Sequence, residues 1–202
     1  MILKRTLAAA ATFTVAALLM TACAPAAVET PKPTQTTAAP ETMAPVAPPE
    51  SEEEAVAAAE EVLTKWFEVR GEVNAAGGTD TEQLEALSTG TALERVLADA
   101  EQIANGPLLN VDEVNIDGPI KTEGAITYES KSAYGQEWEG VENGLVTINA
   151  CQDGTDYKLF ASDGSEGMRP AELRTTFDYQ VIYDASREAW LVYDLISLGE
   201  TC

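Results

Sequence analysis

The sequence contains no histidine. This absence excludes Ser-His-Asp and Cys-His nucleophilic catalysis, His-ligated zinc and the commonest general base of enzymes. The P-loop, G-x-G-x-x-G, G-x-S-x-G and C-x-x-C motifs are also missing. The sequence therefore favours a non-enzymatic role, and it predicts neither a cofactor nor a metal centre.

Basic residues are scarce, with 12 Lys and Arg against 34 Asp and Glu and a net charge of −22. Residues 51–202 hold 9 of the basic and 31 of the acidic residues. Such a charge repels nucleic acid and anionic lipid, so neither is expected as a partner. We favour a solvated, soluble surface. The alternatives are a docking surface for a basic partner and a surface that collects divalent cations.

Residues 1–22 have the order of an export signal. Lys4 and Arg5 precede an apolar segment from Thr6 to Ala22 that carries no charge. A short basic end, an apolar core and small residues before a cleavage point are typical of a secretory signal peptide. A permanent N-terminal membrane helix is the alternative interpretation.

The end of this segment, Met20-Thr21-Ala22-Cys23, resembles the lipobox of bacterial lipoproteins, in which the cysteine is acylated and becomes the new N-terminus. We therefore expect lipid on Cys23 and a location on the outer face of the cell membrane. Ala22-Cys23-Ala24 also fits an A-x-A site for ordinary signal peptidase. Cleavage there would leave Pro25 directly after the cut, which that enzyme tolerates poorly.

Two cysteines remain, Cys151 and Cys202. In an oxidising extracytoplasmic compartment, two cysteines most simply form one disulfide. Two free thiols are the alternative.

Residues 23–50 hold seven of the ten prolines, and most of the other positions are Ala or Thr. This composition shows no apolar periodicity and predicts a disordered tether rather than a core. A flexible coil of this length spans about 30 Å. Residues 51–202 are then expected to form one domain.

The first half of the domain has helical periodicity. Ser51 with Glu54 is a capping-box pattern, and apolar residues then recur at helical spacing up to Gly77-Gly78. A second helical region begins near Thr81. A second capping-box pattern predicts that a third helix starts at Thr91-Ala92-Leu93-Glu94.

After Pro107 the apolar period becomes two, which predicts strands at 111–116, 125–134, 140–152, 175–183 and 189–198. The last of these is apolar on both faces and is predicted to be a central strand. The sequence thus predicts an α+β domain in which helices pack on one face of an antiparallel sheet of four to six strands.

Several features match one group of known proteins. They are the lipobox, the tether, a Trp-Phe pair in the first helix, VTINACQD at 146–153, Asp163-Gly164, and REAWLVYDLISLGETC at 187–202. With these features the chain resembles actinobacterial lipoproteins of the nuclear transport factor 2-like superfamily. The resemblance implies a cone-shaped fold with a curved sheet and an envelope location. It implies no particular activity.

Within such a cone, three residues are candidates for ligand binding: Tyr179, Trp190 and Asp194. Asp194 is predicted on the strand face of Trp190 and Val192, where apolar neighbours would raise the pKa of its carboxyl and allow it to act as a base. Ketosteroid isomerase uses Tyr and Asp in this way, without histidine. The alternative is that Asp194 lies near the exposed end of the strand and that the tyrosines pack.

The acidic stretch 151–167 has oxygen ligands of the kind that calcium prefers, but it lacks the EF-hand spacing. Asp153-Gly154 and Asp163-Gly164 are more typical of turns around a short strand.

We therefore expect a non-enzymatic binding or accessory module in the cell envelope that contacts another protein or a small ligand through the mouth of the cone or the face of the sheet. The alternatives are a carrier of a small apolar ligand and a ketosteroid-isomerase-like enzyme. An acidic, cation-binding surface protein is the third class.

Overall fold

The computed structural model describes residues 45–202. The signal peptide predicted at 1–22, the lipidation site Cys23 and most of the tether lie outside these residues. Among residues 45–202, no helix combines the length and the apolar character that a membrane span requires.

Helices precede strands in the described part of the chain. The elements are α1 (Glu52–Ala75), α2 (Glu82–Leu87), α3 (Gly90–Asn105), β1 (Leu108–Leu109), β2 (Asn115–Ile116), β3 (Lys121–Glu123), β4 (Thr127–Trp138), β5 (Val141–Asp153), β6 (Lys158–Phe160), β7 (Arg174–Asp184) and β8 (Ala189–Thr201). The long strands form one antiparallel sheet in the order β4-β5-β7-β8, and β1-β2 and β3-β6 form two small antiparallel pairs. The predicted α+β class is confirmed.

The helix ends follow the local sequence signals in part. The Ser51 Oγ accepts a hydrogen bond from the Glu54 N–H (3.2 Å), so Ser51 is the N-cap of α1. The Glu54 carboxylate accepts from the N–H of Glu50 (2.9 Å) instead of closing the predicted box on Ser51. Helix α3 ends at Asn105, and Gly106 follows with a φ of 70°.

The predicted start of α3 was wrong. The helix begins at Gly90, and Thr89, at its N-cap, makes no side-chain capping bond. The hydroxyl of Thr91 instead donates to the carbonyl of Tyr193 and to the carboxylate of Asp194. A tertiary contact with β8 therefore uses the side chain that the local pattern assigned to the cap.

Strand β8 lies at the edge of the four-stranded sheet, so its predicted central position was also wrong. Its two apolar faces have separate causes. Trp190 and Val192 belong to the core on the inner face, which we define as the face packed against α1. Leu191 lies on the outer face and packs with Leu145 and Ile182.

The free edge of β8 is partly covered by α3 and the residue before it. The Thr89 N–H donates to the carbonyl of Val192 (2.9 Å), and the Arg95 guanidinium donates to the carbonyl of Leu195 (2.9 Å). These bonds satisfy edge carbonyls that a neighbouring strand would otherwise bind.

The strand predicted at 111–116 is largely a turn, since only its last two residues, Asn115 and Ile116, are strand. The Asn110 side chain explains the difference. Its Oδ1 accepts from the N–H groups of Asp112 (3.0 Å) and Val114 (2.9 Å), which bends the backbone between β1 and β2.

Cys151 on β5 and Cys202 form a disulfide, with their Sγ atoms 2.03 Å apart. The bridge joins residues that are 51 positions apart and fixes the end of β8 to the sheet. Closing a loop of this length contributes about 4 kcal/mol in the chain-entropy account.

One buried hydrogen bond joins α1 to the segment between α2 and α3, which in turn forms a β-bridge with Val192 of β8. The Trp66 Nε1–H of α1 donates to the Ser88 Oγ (2.9 Å), and both residues are fully buried. A buried N–H needs such an acceptor because water cannot reach it.

Replacing Ser88 with alanine should lower the free energy of unfolding by about 1–3 kcal/mol, because the buried Trp66 N–H then loses its acceptor. Urea unfolding followed by tryptophan fluorescence measures this. Ser132→Ala, at an exposed position on β4, is the matched control and should change stability little. Equal effects of the two substitutions would contradict the role given to the bond.

Candidate binding surface

Aromatic side chains fill the space between α1 and the inner face of the sheet. The ring of Phe67 stacks on Tyr128 with centroids 4.8 Å apart, and it meets Tyr179 edge-on at 5.5 Å. Trp66 packs edge-on against Phe67 at 5.1 Å. At these centroid distances the rings are in direct contact. The interior is therefore occupied by the chain's own side chains.

Two of the predicted ligand-binding residues belong to this packed interior. Tyr179 is fully buried, and its hydroxyl donates to the Gln152 Oε1 (2.8 Å). Burial raises the pKa of the Tyr179 phenol, and the nearby charge of Arg70 opposes that rise only in part. Trp190 is also buried and packs edge-on against Tyr183 at 5.7 Å.

Asp194 does not share a face with Trp190 and Val192, so this prediction was wrong. Val192 pairs with Val181, but Asp194 pairs with Gln180, which leaves Tyr193 as the extra residue of a β-bulge. A bulge interrupts the alternation of side chains along a strand.

The position of Asp194 follows from its partner across the strands. On β7, the residues on either side of Gln180, Tyr179 and Val181, face the core. Gln180 and its partner Asp194 on β8 therefore lie on the outer face of the sheet. The Asp194 carboxylate accepts from the N–H of Leu195 (2.8 Å) and from the hydroxyl of Thr91. The structure thus places Tyr179 and Trp190 in one core and Asp194 on the opposite face of the sheet.

A cavity of about 320 Å³ opens beyond the packed aromatic rings. Its apolar lining includes Ile126, Leu159, Met168, Leu173 and Phe177. Its polar lining includes Gln152, Tyr157, Arg169 and Glu172.

The polar groups of the cavity are held in place by internal bonds. The Asn74 amide donates to the hydroxyl of Tyr157 (3.1 Å), and burial raises the pKa of that phenol. The Arg169 Nη2 donates to the carbonyls of Gly154 (2.9 Å), Thr155 (2.6 Å) and Tyr157 (3.3 Å). These bonds fix the loop between β5 and β6, which forms one wall of the cavity.

An exposed apolar turn lies next to this cavity. Val111 is 60% exposed and Val114 is 51% exposed, and both belong to the turn between β1 and β2. The N–H of Met168, which lines the cavity, donates to the carbonyl of Leu109 (2.8 Å). Leu109 and Met168 are themselves exposed. We call the cavity together with Leu109, Val111 and Val114 the cavity–hairpin surface.

This surface was not predicted, because residues 111–116 were expected to form a strand, in which part of the apolar side chains would be buried. A local signal was present. Val111 and Val114 flank Asp112 and Glu113, and Asn110 precedes them, which is a turn composition rather than a strand composition.

A larger groove of about 680 Å³ runs beside α1, and its apolar lining comprises Val46, Ala58, Val62 and Trp190. The Val46 N–H donates to the carbonyl of Glu188 (2.7 Å), and its carbonyl accepts from the hydroxyl of Tyr183 (2.7 Å). The contacts of the domain therefore begin inside the segment that was assigned to the tether.

The acidic stretch 151–167 comprises the end of β5, the short strand β6 and the turns on either side of β6. The Asp153 carboxylate accepts from the N–H of Thr155 (2.8 Å), and the Asp163 carboxylate accepts from the N–H (2.9 Å) and hydroxyl (2.7 Å) of Ser165. The hydroxyls of Thr155 and Ser165 lower the pKa of these two carboxyls, with the backbone N–H groups adding to the effect. Both carboxylates thus bond within their own turns, as expected for Asp-Gly turns, and Asp153 also pairs with Arg174 of β7 at 3.4 Å.

No protein-family model matches the chain, and no curated protein matches it. Among solved structures, the chain is similar to the intermembrane space region of the chloroplast protein ARC6, with a TM-score of 0.42 and 11% identity over 76% of this chain and 100% of that one. A TM-score at this level supports no argument, so the binding surface is inferred from the chain's own geometry.

The burial of Tyr179 predicts a loss of stability in alkaline solution. Because its pKa is higher in the folded than in the unfolded chain, both states keep the phenol neutral below about pH 10. At higher pH the unfolded chain releases this proton first, and the free energy of unfolding falls. In Tyr179→Phe, the decrease between pH 8 and pH 11 should be smaller than in the wild type by about 1.4 kcal/mol.

Urea unfolding at the two pH values measures this difference. Tyr134→Phe, which changes an exposed tyrosine, is the matched control. The interpretation fails if Tyr179→Phe and the wild type lose the same free energy.

Proposed function

We propose that the chain is a lipoprotein held on the outer face of the cell membrane by lipid on Cys23. Residues 51–202 act there as a non-enzymatic binding or accessory module that contacts another envelope protein. The basic and apolar N-terminus, the lipobox and the proline-rich tether support the anchor. The disulfide between Cys151 and Cys202 suits an oxidising compartment outside the cytoplasm.

The domain is a cone of the nuclear transport factor 2-like type. Helices that precede an antiparallel sheet, and α1 packed on the inner face of that sheet, support this assignment. The Trp66-Phe67 pair of the resemblance lies at the centre of that packing.

One observation carries the proposed function: the aromatic interior is filled, while the adjoining cavity continues into exposed apolar residues. Exposed apolar groups that are contiguous with a pocket are typical of protein interaction sites. In such sites a partner side chain enters a pocket, and the surrounding residues exclude water. Met168 connects both parts, since it lines the cavity and is bonded through its backbone to Leu109.

A carrier of a small apolar ligand is the second candidate. The cavity volume of about 320 Å³ lies at the lower end of the range of ligand pockets, which begins at roughly 300 Å³. Gln152 and Tyr157 would supply the few polar groups that orient a ligand. The enzymatic alternative has no such support, because Asp194 faces away from the interior.

A photo-cross-linking amino acid at Met168 tests the proposal in cells that produce the full chain. Met168 is exposed and lines the cavity, so a bound protein should form a covalent adduct on irradiation. The same amino acid at Glu101, exposed on α3, is the control and should give no such adduct.

The result expected is a polypeptide adduct from position 168 alone. Absence of any polypeptide adduct, with a small molecule bound instead, would overturn the binding module in favour of the carrier. Equal adducts from positions 168 and 101 would show contact without a specific site, and would also contradict the proposal.

A further inference from the structure

We infer that the partner of the cavity–hairpin surface presents a basic, apolar segment, in which one apolar side chain enters the cavity and Lys or Arg side chains meet the carboxylates around it. This inference rests on the proposed function and adds the chemistry of the partner. Its basis is the rigidity of the exposed turn and the distribution of charge around it.

The turn holds its apolar side chains in solvent through a fixed backbone. Asn110, at its base, is 5% exposed, and its side chain bonds to the N–H groups of Asp112 and Val114. The Val111 N–H also donates to the carbonyl of Glu166 (3.1 Å). Val111 and Val114 are therefore presented in one arrangement, and a partner that covers them loses little conformational entropy in the turn.

Three acidic residues belong to the cavity–hairpin surface. Asp112 and Glu113 lie in the turn between Val111 and Val114, and Glu172 lines the cavity. All three carboxylate residues are exposed. Within residues 45–202, none of the three forms an ion pair with a basic side chain.

The basic side chains close to this surface in sequence are already engaged. Lys121 pairs with Glu123 at 2.7 Å, and Arg174 pairs with Asp153 at 3.4 Å. Lys158 approaches the carboxylate of Glu166 at 4.0 Å.

The Arg169 guanidinium donates to the carbonyls of the loop between β5 and β6. Arg169, which lines the cavity, pairs with no carboxylate within residues 45–202, so its charge offsets part of the acidic charge. Three acidic residues against this one guanidinium leave the surface with a net negative charge, which a cationic partner complements.

The negative charge of the cavity–hairpin surface also argues against other binding partners. A second copy of the chain would bring the same acidic residues to the contact, and like charges brought together oppose binding. Anionic lipid and anionic polymers are repelled for the same reason. A small neutral ligand could fill the cavity but would leave Val111 and Val114 in water.

The test places a photo-cross-linking amino acid at Val111 of the full chain, in cells that produce it, and sequences the partner peptide in each adduct by mass spectrometry. The variant Asp112→Lys/Glu172→Lys reverses two charges at the surface. Glu94→Lys/Glu101→Lys, on exposed positions of α3, makes the same change in net charge elsewhere. Asp112→Asn/Glu172→Gln neutralises the same two charges, and it replaces Asp112→Lys/Glu172→Lys if that variant fails to fold.

The expected adduct contains a segment with net positive charge and apolar residues. Its yield should fall at least ten-fold in Asp112→Lys/Glu172→Lys and stay within two-fold in Glu94→Lys/Glu101→Lys. The neutralising variant should give an intermediate loss.

A neutral or acidic segment, an adduct with a second copy of the chain, or equal losses in the two Lys variants would overturn the basic partner. Each of these results would still show that the surface binds protein. If neither Val111 nor Met168 gives a polypeptide adduct, the proposed function itself fails, and the inference with it.

Discussion

Helix α1 packs its aromatic side chains against the inner face of the four-stranded sheet, and the rest of the molecule is arranged around that contact. Phe67 contacts both Tyr128 and Tyr179, and Trp66 donates a hydrogen bond to Ser88. This packing stabilises the fold by burying large apolar surfaces. It also fills the interior, so that binding is left to the cavity beyond the rings and to the exposed turn beside it.

The parts of the fold that could be predicted from the sequence are those set by local periodicity. The start of α1 at Ser51 and the long hairpin of β7 and β8 follow from capping and alternation. The edge position of β8 could not be predicted, because two different clusters bury its two faces. The orientation of Asp194 depends on the bulge at Tyr193, and a bulge is fixed by pairing between strands rather than by composition.

The sequence also failed to predict the candidate surface, and the reason is related. Alternating apolar residues form a strand only if a neighbouring strand pairs with them. Here the side chain of Asn110 accepts from the N–H groups of Asp112 and Val114, and these bonds hold the backbone in a turn. Val111 and Val114 are then exposed rather than buried. The excess of acidic residues was visible in the sequence, but the position of Asp112, Glu113 and Glu172 at an apolar site required the structure.

Native mass spectrometry of the protein extracted gently from its own membrane tests the central proposal most directly: an anchored module that binds another protein. We predict a mature chain that begins at Cys23 with a diacylglycerol, lacks the two hydrogens of the Cys151–Cys202 bridge, and carries a second polypeptide. A chain without lipid would contradict the anchor. A chain that instead carries a bound small molecule would contradict the binding module and favour the carrier.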